Sequence, residues 1–195
     1  AASNSITLSG NSGILNGSGY RGNYTQSGNL QSGSRLNIIS GKTANLQKGN
    51  VGGQIYGAGN TVINGAVTLN GGKITTNKLT ISGSGKKLTA GANGLVMNKN
   101  ASDIVLSNSG SLNSAGAITA RNLTLSNKAT LNAKNSAVRN ITLGGKLQAT
   151  DSTVNMFGNL SAANLVLTRS TLTNNGSSVR NLSLSGALTL SSATL

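Results

Sequence analysis

The sequence has no cysteine, no histidine, no proline and no tryptophan, and its only acids are Asp103 and Asp151. Without cysteine there is neither a disulfide framework nor a thiolate metal site; the lack also suits a chain that crosses an oxidising periplasm unfolded. Without histidine or cysteine, a serine has no general base of the familiar triad kind and zinc has no soft ligand. The two carboxylates stand 48 positions apart, too far for the clustered acids that polysaccharide cleavage or calcium binding requires. Serines and lysines are plentiful, but the lysines belong to the exposed pattern, so a Ser-Lys dyad is not expected. No phosphate loop of the Gly-x-x-x-x-Gly-Lys-Ser/Thr kind occurs, and calcium-binding nonapeptides, with Asp in every turn, are absent too. The expectation is a protein without catalytic activity, metal or cofactor.

Aromatic residues make up 2% of the 195-residue chain, one Phe and three Tyr, which rules out a bulky globular core. No stretch approaches the roughly 18 consecutive apolar residues of a membrane span. The opening Ala1-Ala2-Ser3-Asn4 lacks the basic and apolar regions of a signal peptide. The last residues, Leu190-Ser-Ser-Ala-Thr-Leu195, read as a strand cut in mid-pattern, as expected of a fragment.

What is abundant is small and polar: Gly alone numbers 27, and Ser, Thr and Asn make up much of the rest. Such a composition could belong to a disordered chain, but Leu, Ile and Val recur at regular places. Sixteen Lys and Arg against two acids give a formal charge of +14. A surface of that kind attracts polyanions: nucleic acid, sulfated glycan, lipopolysaccharide phosphate or an anionic membrane. Equally, Lys on exposed strands keeps sheet edges from pairing with other chains.

The recurrence is a repeat. Arg121-Asn122-Leu123-Thr124-Leu125 returns as Arg139-Asn140-Ile141-Thr142-Leu143, as Asn164-Leu165-Val166-Leu167 and as Arg180-Asn181-Leu182-Ser183-Leu184. Looser copies precede it at Asn77-Lys78-Leu79-Thr80-Ile81, Asp103-Ile104-Val105-Leu106 and Ser5-Ile6-Thr7-Leu8. A second short strand follows at Thr130-Leu131, Leu147-Gln148-Ala149, Thr171-Leu172-Thr173 and Leu188-Thr189-Leu190, and a weaker third at Ala137-Val138, Val154-Asn155-Met156 and Val179. Apolar and polar residues alternate with the strand period of two, and no segment has helical spacing. The missing proline fits strands hydrogen-bonded on both sides.

Three strands per unit, joined by Gly, Ser and Asn turns, make a triangular coil. The fold expected is all-β, a right-handed parallel β-helix of roughly 18 to 25 residues per coil, with eight or nine coils stacked about 4.8 Å apart. In that alignment Leu123, Ile141, Leu165 and Leu182 form one inward ladder and Leu125, Leu143, Leu167 and Leu184 its neighbour. Residues 1–60 are expected to be irregular, Gly-rich early coils or a cap, and 61–195 regular coils of the same continuous solenoid.

Three constellations are left for function. Arg121, Arg139 and Arg180 precede the Asn of the main strand, and one shared corner would make them a guanidinium row that grips an anionic polymer. The alternative is three solvated turn residues. Lys128 and Lys146 extend this set of polyanion-binding candidates. The Asn column, Asn122, Asn140, Asn164 and Asn181, reads as a structural ladder. Tyr20, Arg21 and Tyr24 combine aromatic faces with a guanidinium, a pairing suited to glycan stacking, though capping or packing explains them equally well. Outward Thr suggests ice-binding solenoids, but Thr171-Leu172-Thr173 and Thr189 are the nearest approach to the regular rows these need.

The Leu-Thr-Leu-Ser and Ala-Thr-Leu-Asn-Ala strings of residues 120 to 195, set in degenerate coils without cysteine, resemble the passenger domains of bacterial autotransporters. The likeness extends over 60 to 195 and is one of sequence style. It implies a surface adhesin, a self-associating aggregation factor or the stalk of a secreted toxin, outside the cell or on the surface of a Gram-negative bacterium. Most adhesin passengers are acidic; the basic charge here looks more like the vacuolating-toxin-like group. Two-partner secretion haemagglutinins share the fold, but their Asn-Pro-Asn-type motif is missing. The expected partner is an anionic glycan or other polyanion, or a host surface receptor, without specific nucleic-acid readout. The competing expectation is a stalk or self-associating fibre with no ligand of its own.

Overall fold

A computed structural model describes residues 5–11, 22–133, 140–174 and 182–195, with side chains from residue 22 onward. Among these residues every strand pair is parallel and none is helical, so none of them forms a helix long and apolar enough to cross a membrane. The architecture is a β-solenoid of about eight turns with three faces. The first face runs the full length, from Ser5–Asn11 through Asn122–Ser126 to Leu188–Ser191. The second runs from Gly49–Val51 to Thr171–Asn174, and the third from Leu95–Val96 to Leu182–Leu184. Earlier in the chain the third face is continuous with the first. The first halves of Gln54–Ile63 and Lys73–Ser82, beside Arg35–Asn37, form it, and the register shifts between Gly57 and Asn60 where the chain turns the corner.

The alternation read from the sequence is the burial pattern. Asn122–Ser126, Thr130–Ala133 and Thr153–Met156 each bury every second residue. The inward residues stack into ladders: Tyr24, Ala44, Thr61, Leu79, Ile104, Leu123, Leu147, Leu165 and Leu188 follow one another along the first face. Apart from the polar Thr61 and the exposed Leu188 of the last coil, they join one hydrophobic core from Tyr24 to Leu172. Each fully buried Leu or Ile stabilises the fold by about 1.5–3 kcal/mol, so a narrow core of aliphatic ladders needs no large aromatic. Coils differ in length because only the strands are constrained. Ala44 meets Thr61, 17 residues on, whereas Leu79 meets Ile104, 25 on.

The ladder assignment differs from the one the motif suggests. Leu123 stacks on Leu147, which stacks on Leu165 and then Leu188. Ile141 and Leu182 lie on the third face, in the ladder Leu95, Ile118, Ile141, Leu160 and Leu182. Leu125 likewise stacks on Ala149, and Leu143 on Ala120. The strands that follow Arg121 and Arg139 therefore belong to different faces. Any face of a solenoid needs inward Leu beside outward Thr, so the same string serves two of them.

The asparagines that open these strands tie coils together. The Oδ1 of Asn122 accepts the backbone N–H of Lys146 at 2.9 Å, that of Asn140 accepts from Asn159 at 3.1 Å, and that of Asn164 from Ala187 at 2.8 Å. This is the structural role expected of these three Asn residues, but it is made with backbone and divided between two faces; Asn181 lies outside the described residues. Beside Asn122 it also dictates a glycine: a Cβ on Gly145 would lie 2.2 Å from the Asn122 Oδ1. Gly145→Ala is expected to destabilise by about 1–3 kcal/mol through overpacking, and by clearly less when Asn122 is already Ala. Urea unfolding of the two single variants and the double variant measures this coupling; strictly additive losses would contradict the contact.

Candidate anion-binding trough

Both carboxylates are already engaged. Arg121 donates from Nε to Asp103 Oδ1 at 2.9 Å and from Nη2 to Oδ2 at 2.5 Å, and Arg169 grips Asp151 in the same two-pronged way at 2.6 and 2.8 Å. Each arginine follows its acid by 18 residues, one coil on. The hydrogen bonds from Arg121, reinforced by its charge and by Asn122, hold the Asp103 carboxyl below the usual carboxylate range despite partial burial. Arg169 does the same for Asp151. The guanidinium of Arg121 is thus occupied by its own chain.

The other sequence candidates are dispersed. Lys146 is exposed at the start of the strand above Asn122, so it shares a corner with Arg121. Lys128 stands at the opposite end of that face, in a left-handed turn with φ of 65°, and its backbone N–H bonds to the Asp151 carbonyl at 2.7 Å. Arg139, Arg180, Tyr20 and Arg21 lie outside the described residues. Tyr24 is a correction: it is fully buried in an inward ladder, and its hydroxyl donates to Gln26 Oε1 at 2.7 Å. Its ring is packed against the core and cannot stack on a glycan; burial also pushes its phenol above the ordinary value.

A cationic row does exist, but elsewhere. On the early third face Arg35, Gln54 and Lys73 are in register on three successive coils, all pointing outward. Since Asp103 and Asp151 hold other arginines, neither Arg35 nor Lys73 has a carboxylate side chain to pair with. Arg35 is fixed by the neighbouring row: its guanidinium lies 5.2 Å from the centroid of the Tyr56 ring, a cation–π contact worth about 0.5–1 kcal/mol at an exposed position.

Alongside this row runs a trough with a cavity volume of about 600 Å³ at its broad end. A shallower continuation reaches back past Gln54 to Arg35 and Gly33. Glycines are prominent in its lining: Gly33 and Gly71 are exposed, with open space where a Cβ would stand, whereas Gly53 and Gly72 are buried where the coils meet too closely for side chains. A Cβ on Gly72 would lie 2.4 Å from the Val51 carbonyl oxygen, and one on Gly53 would lie 2.7 Å from that of Ser34. Where the trough broadens, Val96 forms an apolar wall, 54% exposed, with Asn93 nearby.

Sequence reasoning missed this site although a signal is present. Gly33-Ser34-Arg35-Leu36, Gly52-Gly53-Gln54-Ile55 and Gly71-Gly72-Lys73-Ile74 repeat at steps of 19 residues, more strictly than the later motif. They fall in or near the stretch read as irregular, where glycine masked the periodicity. No family model, curated protein or solved structure matches the chain.

The paired acids generate a pH prediction. A carboxyl whose folded pKa is depressed contributes stability above its unfolded pKa and loses it as pH falls through the folded value. Unfolding free energy is expected to hold steady from neutral pH down to the ordinary carboxylate range, then decline below it. The Asp103 pair, with its carboxylate side chain 27% exposed, accounts for at most about 1 kcal/mol of this. Denaturant melts of an Asp103→Asn/Asp151→Asn variant should show most of that decline gone; an unchanged decline would contradict the pairing.

Proposed function

We propose that this solenoid is a non-enzymatic passenger-type protein, secreted or displayed on a bacterial surface, that acts as an adhesin by binding polyanions. The observation that carries the reading is the charge arrangement. Both acids are held by arginines, while Arg35 and Lys73 line an open trough without an acidic partner. Such uncompensated cations beside a concave surface attract anionic polymers and orient them on approach. The bidentate pairing of both carboxylates supports a structural role for them over acid/base chemistry. The passenger-like sequence style of residues 60 to 195 is the support for the export route and surface location.

One observation favours a second reading, that of a stalk or self-associating fibre. From Ser111 to Thr173 the outward rows of the second face carry no charge. They read Ser111, Thr130, Thr153 and Thr171 beside Asn113, Asn132, Asn155 and Thr173. Asn155 donates to Asn132 at 2.8 Å and Asn132 to Asn113 at 2.9 Å. Two such faces can approach one another without like-charge repulsion.

Heparin chromatography with sedimentation separates the two readings. Polyanion binding predicts retention that collapses with rising salt and a sedimenting monomer. Ordered oligomers that ignore heparin would overturn it in favour of the fibre. Replacing Arg121, Arg139 and Arg180 by Gln is expected to weaken retention no more than replacing three scattered lysines. A distinctly larger loss would restore the arginine row.

A further inference from the structure

We propose that the glycine-lined trough is a site for a linear acidic glycan carrying one anionic group per disaccharide, lying along the solenoid axis. The inference rests on the polyanion reading above and names the ligand class for one place on the surface. Arg35 and Lys73 are in register but two coils apart, a separation of roughly 10 Å at 4.8 Å per coil. That is about the length of one disaccharide in an extended glycan. Gln54 stands midway on the intervening coil, with an amide that can donate to and accept from sugar hydroxyls. The alternation of cation, neutral amide and cation therefore matches a chain in which charged and uncharged sugars alternate.

The trough fits a saccharide in other respects. Gly33 and Gly71 are exposed in its lining with open space where a Cβ would stand, so a pyranose ring can lie against backbone there. The exposed Val96 at the broad end offers an apolar surface to the C–H face of a ring. Arg35 is held over Tyr56 before any ligand arrives, which lowers the entropy lost on binding. Nucleic acid fits less well. A DNA strand advances only about 3.4 Å of axis per phosphate, and the Tyr56 ring is covered by Arg35 rather than open to a base.

The test uses the full chain and fluorescently end-labelled octasaccharides read by anisotropy. The probes are unsulfated chondroitin, with one carboxylate per disaccharide, and heparin, which is far more densely charged. Arg35→Gln/Lys73→Gln is compared with Lys87→Gln/Lys99→Gln, which removes the same charge at exposed positions away from the trough. Thermal melts by circular dichroism check that both variants keep the wild-type fold. The trough variant is expected to weaken chondroitin binding by at least about tenfold, the equivalent of one or two charge-assisted hydrogen bonds, and the control variant by much less. Equal losses in both variants would overturn the site while leaving polyanion binding intact. Heparin binding through the trough with no chondroitin binding would overturn the one-charge-per-disaccharide assignment. Binding of neither probe by the wild-type protein would overturn the site and the polyanion reading together.

Discussion

Everything in this molecule depends on the parallel backbone ladder, which sets each strand residue beside its counterpart one coil away at about 4.8 Å. A property placed at one position is repeated, or must be deliberately broken, at the next. Repetition serves apolar groups well, and Leu79, Ile104, Leu123, Leu147 and Leu165 bury each other in turn. It also serves amides, as Asn113, Asn132 and Asn155 show by hydrogen-bonding in sequence.

Charge obeys the opposite rule, because like charges directly across a ladder destabilise it. In the described ladders no two cations face each other on neighbouring coils. Gln54 separates Arg35 from Lys73, Asp103 and Asn122 separate Lys78 from Lys146, and Asp151 separates Lys128 from Arg169 at the turn. A chain with +14 formal charge stacks as a rod because its cations are diluted this way. The same rule disfavours a continuous arginine column. It leaves the interrupted pattern of cation, amide and cation as the form in which a row of charge can be presented.

The fold was legible because burial and strand period are written in the same alternation; Asn122-Leu123-Thr124-Leu125 is at once a strand and a face. Register was not legible. Arg121-Asn122 and Arg139-Asn140 are 18 residues apart, within the range of coil lengths, yet the second copy opens a strand of another face. Inward Leu and outward Thr satisfy every face alike, and only turn lengths decide which face receives which copy. Turns of Gly, Ser and Asn fit many lengths, so they record little of that decision. The trough was hidden for a related reason. Arg35, Gln54 and Lys73 are brought into line by coil stacking and share no side-chain chemistry that a motif search would select. Tyr24 misled in the other direction: aromatic scarcity made it look functional, whereas it fills an inward position above Ala44.

The central claim is therefore the register itself, from which ladders, charge dilution and trough all follow. Because the chain contains no cysteine, paired cysteines report it directly. Thr124 and Gln148 are in-register partners on the first face, whereas Thr142 lies on the third. Adjacent strands bring Cα atoms within the 4.4–6.8 Å or so that a disulfide spans. Under mild oxidation a Thr124→Cys/Gln148→Cys variant should close an intramolecular disulfide, and a Thr124→Cys/Thr142→Cys variant should keep both thiols free. Closure of the second pair in preference to the first would contradict the account.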